Sequence, residues 1–419
     1  MSLRTRLKAR VGAALAVLVV AAGLACKPSV RRFDRTSVAA SLDAGDQAAA
    51  LVIGEFPLLK VIDGDTIRVG GLDASLRLLG LDTEETFKRK SERMEFDKGW
   101  ERYLAEAQAR SRGPVKIPTP LGEEAKKFAE SFFEGVRSVR LERDHPKEIR
   151  DFYNRYLAYV FVEKDGKTYN YNVECVRAGM SPYFSKYGYS RRFHAEFVAA
   201  QEEARAAKRG IWDPNKQHYT DYDLRLEWWN RRADFIQAFE REAEGRSDWI
   251  VLTNWDALDR LQGRVGREVV VLGAVGDIRD TAGPTKVLLS RRRSGSLPLI
   301  FFDQDVLERS GAREARGEFV RARGVITKYF NKYKKRDELQ IVVTLPGQIE
   351  RGQPRPFADA PEEVPAAPGP EEQVPEDMSP DAAEAADPDA ADADAGAPSE
   401  PADSDPANPP AAQAPAALN

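Results

Sequence analysis

The sequence predicts a chain that is mainly β with helices, arranged as two successive β-rich units and a polar acidic tail. Three observations lead there. Between Ala49 and Asn215, short apolar runs (ALVIGEF, LLKVI, TIRV, LRLLGL, YLAYVFV) are broken at Asp63-Gly64 and Gly70-Gly71 and alternate with helical patterns. A second set of strand-like runs (EVVVLGAVGDI, KVLLS, LPLIFF, EFVRARGVITKYF, ELQIVVTLP) fills about 263–350. From 351 onward the chain is Pro, Ala, Asp and Glu, which cannot bury enough apolar surface to offset its ordering entropy, so 351–419 is predicted disordered.

A chain of 419 residues is long enough for two cores plus tails. Its net charge of -4 conceals an asymmetry: from Pro356 to the end there are 16 acidic residues and no basic ones, leaving +12 on the rest. A basic body fits a polyanionic partner. Cysteine and histidine exclude other chemistries. Apart from Cys26 only Cys175 is present, so there is no disulfide framework. His145, His194 and His218 lack metal-ligand spacing, which argues against zinc and against histidine-based nuclease motifs.

In chain order, residues 1–26 read as a leader. Arg4, Arg6, Lys8 and Arg10 precede the short apolar core VGAALAVLVVAA, and GLAC at 23–26 resembles a bacterial lipoprotein lipobox with Cys26 as the lipidated residue. The expectation is an exported protein held in the cell envelope by an N-terminal lipid, in the outer membrane where there are two; an ordinary signal peptide cleaved near Ala25 is the alternative. Residues 27–48 are a polar tether, and 49–215 form the first domain. Its charged insert at 87–118, anchored by Trp100, Tyr103 and Leu104, is expected to be a helical excursion. Thr119-Pro120 starts a helix, with threonine as cap, proline in the first turn and Glu123 and Glu124 at its positive end. Another helix is predicted from about Ser190 to Lys208, ended by Gly210. Residues 216–262 read as a helical connector rich in Trp and Arg. The unit at 263–350, with Gly273 and Gly324 inside strands, resembles an OB-fold barrel.

Three segments carry the chemistry: IDGDTIRV at 62–69, RLLGLDTEET at 77–86 and DFYNRYLAYVFV at 151–162. They put Asp65, Arg77, Asp82, Thr83, Glu85 and Arg155 on turns and strand ends. RLLGL breaks strict alternation and reads as a strand buried on both faces, so the polar residues after it collect at its end. Two carboxylates suit a hard cation, a third suits a base, and two guanidinium groups suit a phosphate.

In these segments the chain resembles the staphylococcal-nuclease (thermonuclease) family, over about Ala49 to Asn215. The resemblance implies an OB barrel carrying helices and a calcium-dependent nuclease acting on DNA and RNA with little sequence preference, leaving 3′-phosphate ends. It implies that Asp65, Asp82 and the Thr83 carbonyl hold Ca2+, that Glu85 is the general base, that Arg77 and Arg155 clamp phosphate, and that Tyr153 and Tyr187 contact nucleotide. Three departures stand out. Glu84 replaces a proline, which is expected to loosen the turn and add negative charge near the site. Asn154 replaces a glycine, and the insert at 87–118 replaces a shorter loop. In the second unit, Arg291–Arg293 and Lys328, Lys332, Lys334, Lys335 and Arg336 interleave with Tyr329, Phe330 and Tyr333, the composition either of a nucleic-acid face or of two solvated hairpin loops. The alternative function is a catalytically silent, cell-surface nucleic-acid-binding lipoprotein. DNA, RNA and a membrane, through the lipid, are the expected partners, and no protein partner is predicted.

Overall fold

The computed structural model describes residues 35–111, 113–151, 153–280, 283–292, 295–332, 335–353 and 356. The leader, Cys26, residues 27–34 of the tether and nearly all of the acidic tail lie outside the described residues; the rest of the tether, 35–48, is largely helical. The chain divides into two compact units, Met1–Arg150 with Asn154–Asn230, and Asp151–Tyr153 with Arg231–Asn419. The division falls within the segment expected as a connector. Among the described residues no helix is long and apolar enough to cross a membrane.

The first unit opens with α1 (Arg35–Asp43) and α2 (Gln47–Leu51), then β1 (Val52–Val61), β2 (Ile67–Val69) and β3 (Leu76–Leu78). The insert forms α3 (Lys90–Phe96) and α4 (Trp100–Arg110), followed by α5 (Pro120–Phe132). Next come β4 (Ser138–Glu142), β5 (Tyr156–Lys164), β6 (Lys167–Asn170), α6 (Tyr171–Arg177), α7 (His194–Ala206) and α8 (Tyr222–Glu242), within which the division falls. The strands run in the order β2-β1-β4-β5-β3, with β6 beside β5. All pairs are antiparallel except β3 with β5, where Leu76, Arg77 and Leu78 face Tyr156, Leu157 and Ala158 in parallel. Irregularities near Gly54 and between Leu58 and Lys60 let β1 pair with β4 through its first half and β2 through its second. Ile53, Leu78, Leu81, Leu141, Val160 and Leu121 are essentially inaccessible and centre the core.

Several local expectations hold, with shifted limits. Thr119 has extended backbone and its hydroxyl accepts from the Gly122 N–H, capping α5 with Pro120 in the first turn. The insert is helical, and Leu104 and Ala107 pack with Val115, Leu121 and Tyr222, with Trp100 at the edge. The second helix is shorter than its pattern predicts, His194–Ala206 against Ser190–Lys208. RLLGL is not one strand buried on both faces. Alternation holds across Leu76–Leu78, and the chain then turns at Gly80, whose φ of 73° is left-handed and whose missing side chain makes room for the Phe197 ring. Buried Asn172 locks this turn to β5, accepting from Val160 N and donating to Leu79 O at 2.8 Å.

The second unit comprises β7 (Trp249–Val251), α9 (Ala257–Gln262), β8 (Glu268–Arg279), β9 (Thr285–Arg292), β10 (Gly295–Phe301), α10 (Gln304–Ser310), β11 (Phe319–Asn331), β12 (Arg336–Val343) and β13 (Ile349–Arg351). Five of these strands close a ring, β8-β9-β10-β12-β11 and back to β8. Only β10 and β12 are parallel within the ring, and α10 connects β10 to β11, so this is an OB-type barrel. Val269, Val271, Val287, Leu289, Leu299 and Ile341 fill it. Gly324 is needed for close approach, since a side chain there would meet Ile341 Cγ2 at 2.4 Å.

Candidate active site

The site is built at the ends of the first unit's strands. The turn Asp63-Gly64-Asp65 links β1 to β2, closed by Ile62 N–H donating to Thr66 O at 3.0 Å. Gly64 presses on α5: a β-carbon there would come within 2.7 Å of Ala125 Cβ and 2.8 Å of Thr83 Cγ2. The Gly64 carbonyl also accepts from the buried Tyr171 hydroxyl at 2.5 Å. The turn is thereby seated against the helix and against the loop that follows β3.

Asp65 is shared by three neighbours. Its Oδ1 accepts from the Thr66 hydroxyl at 3.0 Å, its Oδ2 accepts from the Thr83 N–H at 3.0 Å, and Arg77 Nη1 stands 3.7 Å from Oδ2. The other amino group of Arg77, Nη2, lies 3.5 Å from Asp82 Oδ1 and donates to Leu81 O at 3.0 Å. One guanidinium group thus spans the two carboxylates expected to hold a cation. The Asp82 N–H donates to Ser181 Oγ at 2.9 Å, and Lys116 Nζ lies 3.4 Å from Asp82 Oδ1. Burial works to raise the Asp82 pKa, but Lys116, then Arg77, Arg225 and Lys186, overcome it and hold the carboxyl below its usual range.

Glu85 follows two residues on, with Lys88 Nζ at 3.7 Å and its side chain still 43% exposed. Desolvation and then the charge on Asp65 raise its pKa, so it is a stronger base than an ordinary carboxylate. Asp63, which the sequence reading passed over, is buried, and desolvation followed by Asp65 raises its pKa to about 8. Its Oδ1 is buried without a hydrogen-bond partner.

Arg155 stands half-buried one residue before β5, in phase with Leu157, which pairs with Arg77. The β3–β5 register puts it two residues from the position that pairs with Arg77. The preceding Asn154 has φ of 68°, the left-handed backbone a glycine would favour and asparagine tolerates. Tyr153 groups with the second unit, its N–H donating to Asp151 Oδ1 at 2.9 Å. Tyr187 is 57% exposed and its ring lies 5.8 Å from that of Phe184, which itself lies 5.2 Å under Arg77. Cys175 is fully buried with its pKa raised by desolvation, as expected of a core thiol.

Donor chemistry suits a hard cation. The available groups are all oxygens: Asp65, Asp82, the orphaned Oδ1 of Asp63 and backbone carbonyls. Among the described residues no three His, Cys, Asp or Glu side chains close on one point.

Glu84 departs from expectation. Its carboxylate turns inward, 1% exposed, and accepts from Thr119, Tyr219 and Tyr222. It therefore tightens the loop rather than loosening it. Lys116 was not foreseen either, because nothing in the sequence ties it to Asp82, 34 positions away. Asp63 had a signal, the doubled aspartate of Asp-Gly-Asp.

Comparison with known proteins agrees with this geometry. Residues 75–214 match the family described as staphylococcal nuclease homologue. The chain is 31% identical over 162 residues to a thermonuclease of Staphylococcus hyicus, covering 38% of this chain and 75% of that one. It is 32% identical over 165 residues to a thermonuclease of Staphylococcus intermedius, covering 39% and 79%. An uncharacterized protein of Methanocaldococcus jannaschii is 31% identical over 164 residues, covering 37% and 70%. With the carboxylates and arginine of the resemblance gathered at the strand ends of a strongly β unit, and relatives at this level covered over most of their length, the chain belongs to the staphylococcal nuclease family.

Proposed function

We propose that this protein is a calcium-dependent phosphodiesterase that hydrolyses DNA and RNA with low sequence specificity, leaving 3′-phosphate ends. The observation that carries the reading is Arg77 bridging Asp65 and Asp82 while Asp65 fixes the Thr83 N–H. Asp65, Asp82 and the Thr83 carbonyl would hold Ca2+, which when bound neutralises phosphate charge and polarises the scissile bond. Glu85, raised in basicity and still open to solvent, orients the attacking water and takes its proton. Arg77 and Arg155 stabilise the charge that builds on the phosphoryl oxygens, by forked and permanently charged donors. Tyr187 and Tyr153 would contact the nucleotide.

The second barrel would hold the strand. Phe330 is 60% exposed and Lys286 Nζ lies 5.3 Å above the Tyr329 ring, which supports a stacking face. Tyr329 also donates to Glu338, so the face is less uniformly basic than its sequence suggests. Arg293, Tyr333 and Lys334 fall outside the described residues. We further propose export and lipid anchoring at Cys26, which places the activity in the envelope.

The test is cleavage of single-stranded DNA, double-stranded DNA and RNA in calcium and in chelator, beside Glu85→Gln. Calcium-dependent cleavage that falls at least 100-fold in the variant, about 2.7 kcal/mol of transition-state stabilisation, supports the reading. Intact substrate retained in a salt-sensitive complex would instead make this a binding protein with a silent site.

A further inference from the structure

The segment Asp82–Glu85 has no ladder of its own beyond one bridge between Glu85 and Pro118. Its aim is set by anchors. On one side, the Thr83 N–H is held by Asp65. On the other, Glu84 Oε1 accepts from the Tyr219 N–H at 2.7 Å and the Tyr222 hydroxyl at 2.8 Å, while Oε2 accepts from the Thr119 hydroxyl. The next carbonyl, of Glu85, accepts from the Thr119 N–H at 3.0 Å. It lies so close to α5 that a side chain at Gly122 would fall 2.0 Å from it.

Residues 115–119 are gripped by the same cluster. Tyr219 OH donates to Ile117 O at 2.7 Å and accepts from Ile117 N at 3.0 Å. Arg225 is 1% exposed, lies 4.6 Å over the Tyr219 ring and donates to Val115 O at 2.6 Å. That strip carries Lys116, which meets Asp82. Tyr219, Tyr222 and Arg225 all lie beyond the family match, which ends at 214. A carboxylate is expensive to bury unless its lone pairs are met, and three donors meet this one.

We propose that Glu84 is a positioning residue, through which the segment Tyr219–Arg225, outside the family region, sets the Asp82–Glu85 loop and Lys116. This rests on the nuclease reading of the site. Thr83 and Glu85 serve the site while the residue between them faces the opposite way, so a slip of Glu84 moves both. Misplacement by about 1 Å can cost on the order of 100-fold in rate.

The experiment uses the full chain with Glu84→Gln, Tyr222→Phe and the double variant. It reads cleavage kinetics on a single-stranded oligonucleotide, calcium binding by calorimetry, and amide exchange across 82–86 and 115–119. The expected result is kcat lowered at least 10-fold with KM changed less than 3-fold, weaker calcium binding and faster exchange in both segments. The double variant should be no worse than the poorer single one. Wild-type kcat in a folded variant, or losses that multiply in the double variant, would overturn the proposal. If Glu84→Gln does not fold, Tyr222→Phe, which removes one hydroxyl, decides the matter. If the wild type cleaves nothing, the nuclease reading fails separately. Amide exchange then still decides the clamp, since unchanged protection of 82–86 in Tyr222→Phe overturns it.

Discussion

At Gly64 the site depends on an absent side chain. A methyl group there would press into Ala125 and Thr83 at under 3 Å. Gly64→Ala is therefore expected to destabilise the fold by about 1–3 kcal/mol and to lower activity by more than its loss of stability accounts for, which paired melting and kinetic measurements would reveal. His145 sets a pH dependence. Burial, then Arg191, lower its pKa from 6.5 to about 4, so the folded state holds it neutral. Unfolded chains take up the proton first, so stability is complete above pH 6.5 and falls as the pH drops toward 4, by about 3 kcal/mol. Urea midpoints at pH 7.5 and 4.5 should differ by less in His145→Gln; an unchanged difference would assign the effect to other groups. That Asp65, Arg77 and Asp82 come together was readable from a turn, a strand and the polar run after it, although Asp82 follows a left-handed turn at Gly80 rather than ending a strand. Lys116 and the donors of Glu84 were not, because their partners lie 34, 35, 135 and 138 positions away, where no local period reaches.

Among elements, α5 does more than its pattern suggests. Its apolar face and its cap were readable from Thr119-Pro120 and the spacing of Leu121 and Ala125. That the cap hydroxyl also donates to a buried carboxylate was not. Thr119→Ala should thus cost more than a cap alone, about 2–3 kcal/mol against about 1 kcal/mol, as judged by denaturant unfolding beside Thr119→Ser, which keeps both bonds. β3 teaches the opposite lesson. Five residues that look like a continuous apolar strand contain a left-handed turn, and only the glycine in the run announces it. In the second barrel the strand runs and glycines were legible. The closure between β8 and β11 was expected only through the likeness of the whole pattern to an OB barrel, since pairing across that distance leaves no mark on either strand's own pattern.

Over the whole molecule, charge is the property most visible in composition and least dependent on the fold. The 16 acidic residues from Pro356 onward contrast with the +12 carried by the rest of the chain. If they compete with nucleic acid for that remainder, removing 352–419 raises DNA affinity at low salt and steepens its salt dependence. Filter binding between about 50 and 200 mM salt checks this, and equal affinity for both forms would reduce the tail to a spacer. The solitary thiol among the described residues has a practical outcome. Cys175 is sealed in the interior, and the second unit has no cysteine at all. A form beginning at residue 35 presents no reactive sulfur to solvent, so a cysteine introduced at Tyr187 or Phe330 would accept a fluorophore or spin label at a single place. Either barrel could then be watched separately as a strand arrives.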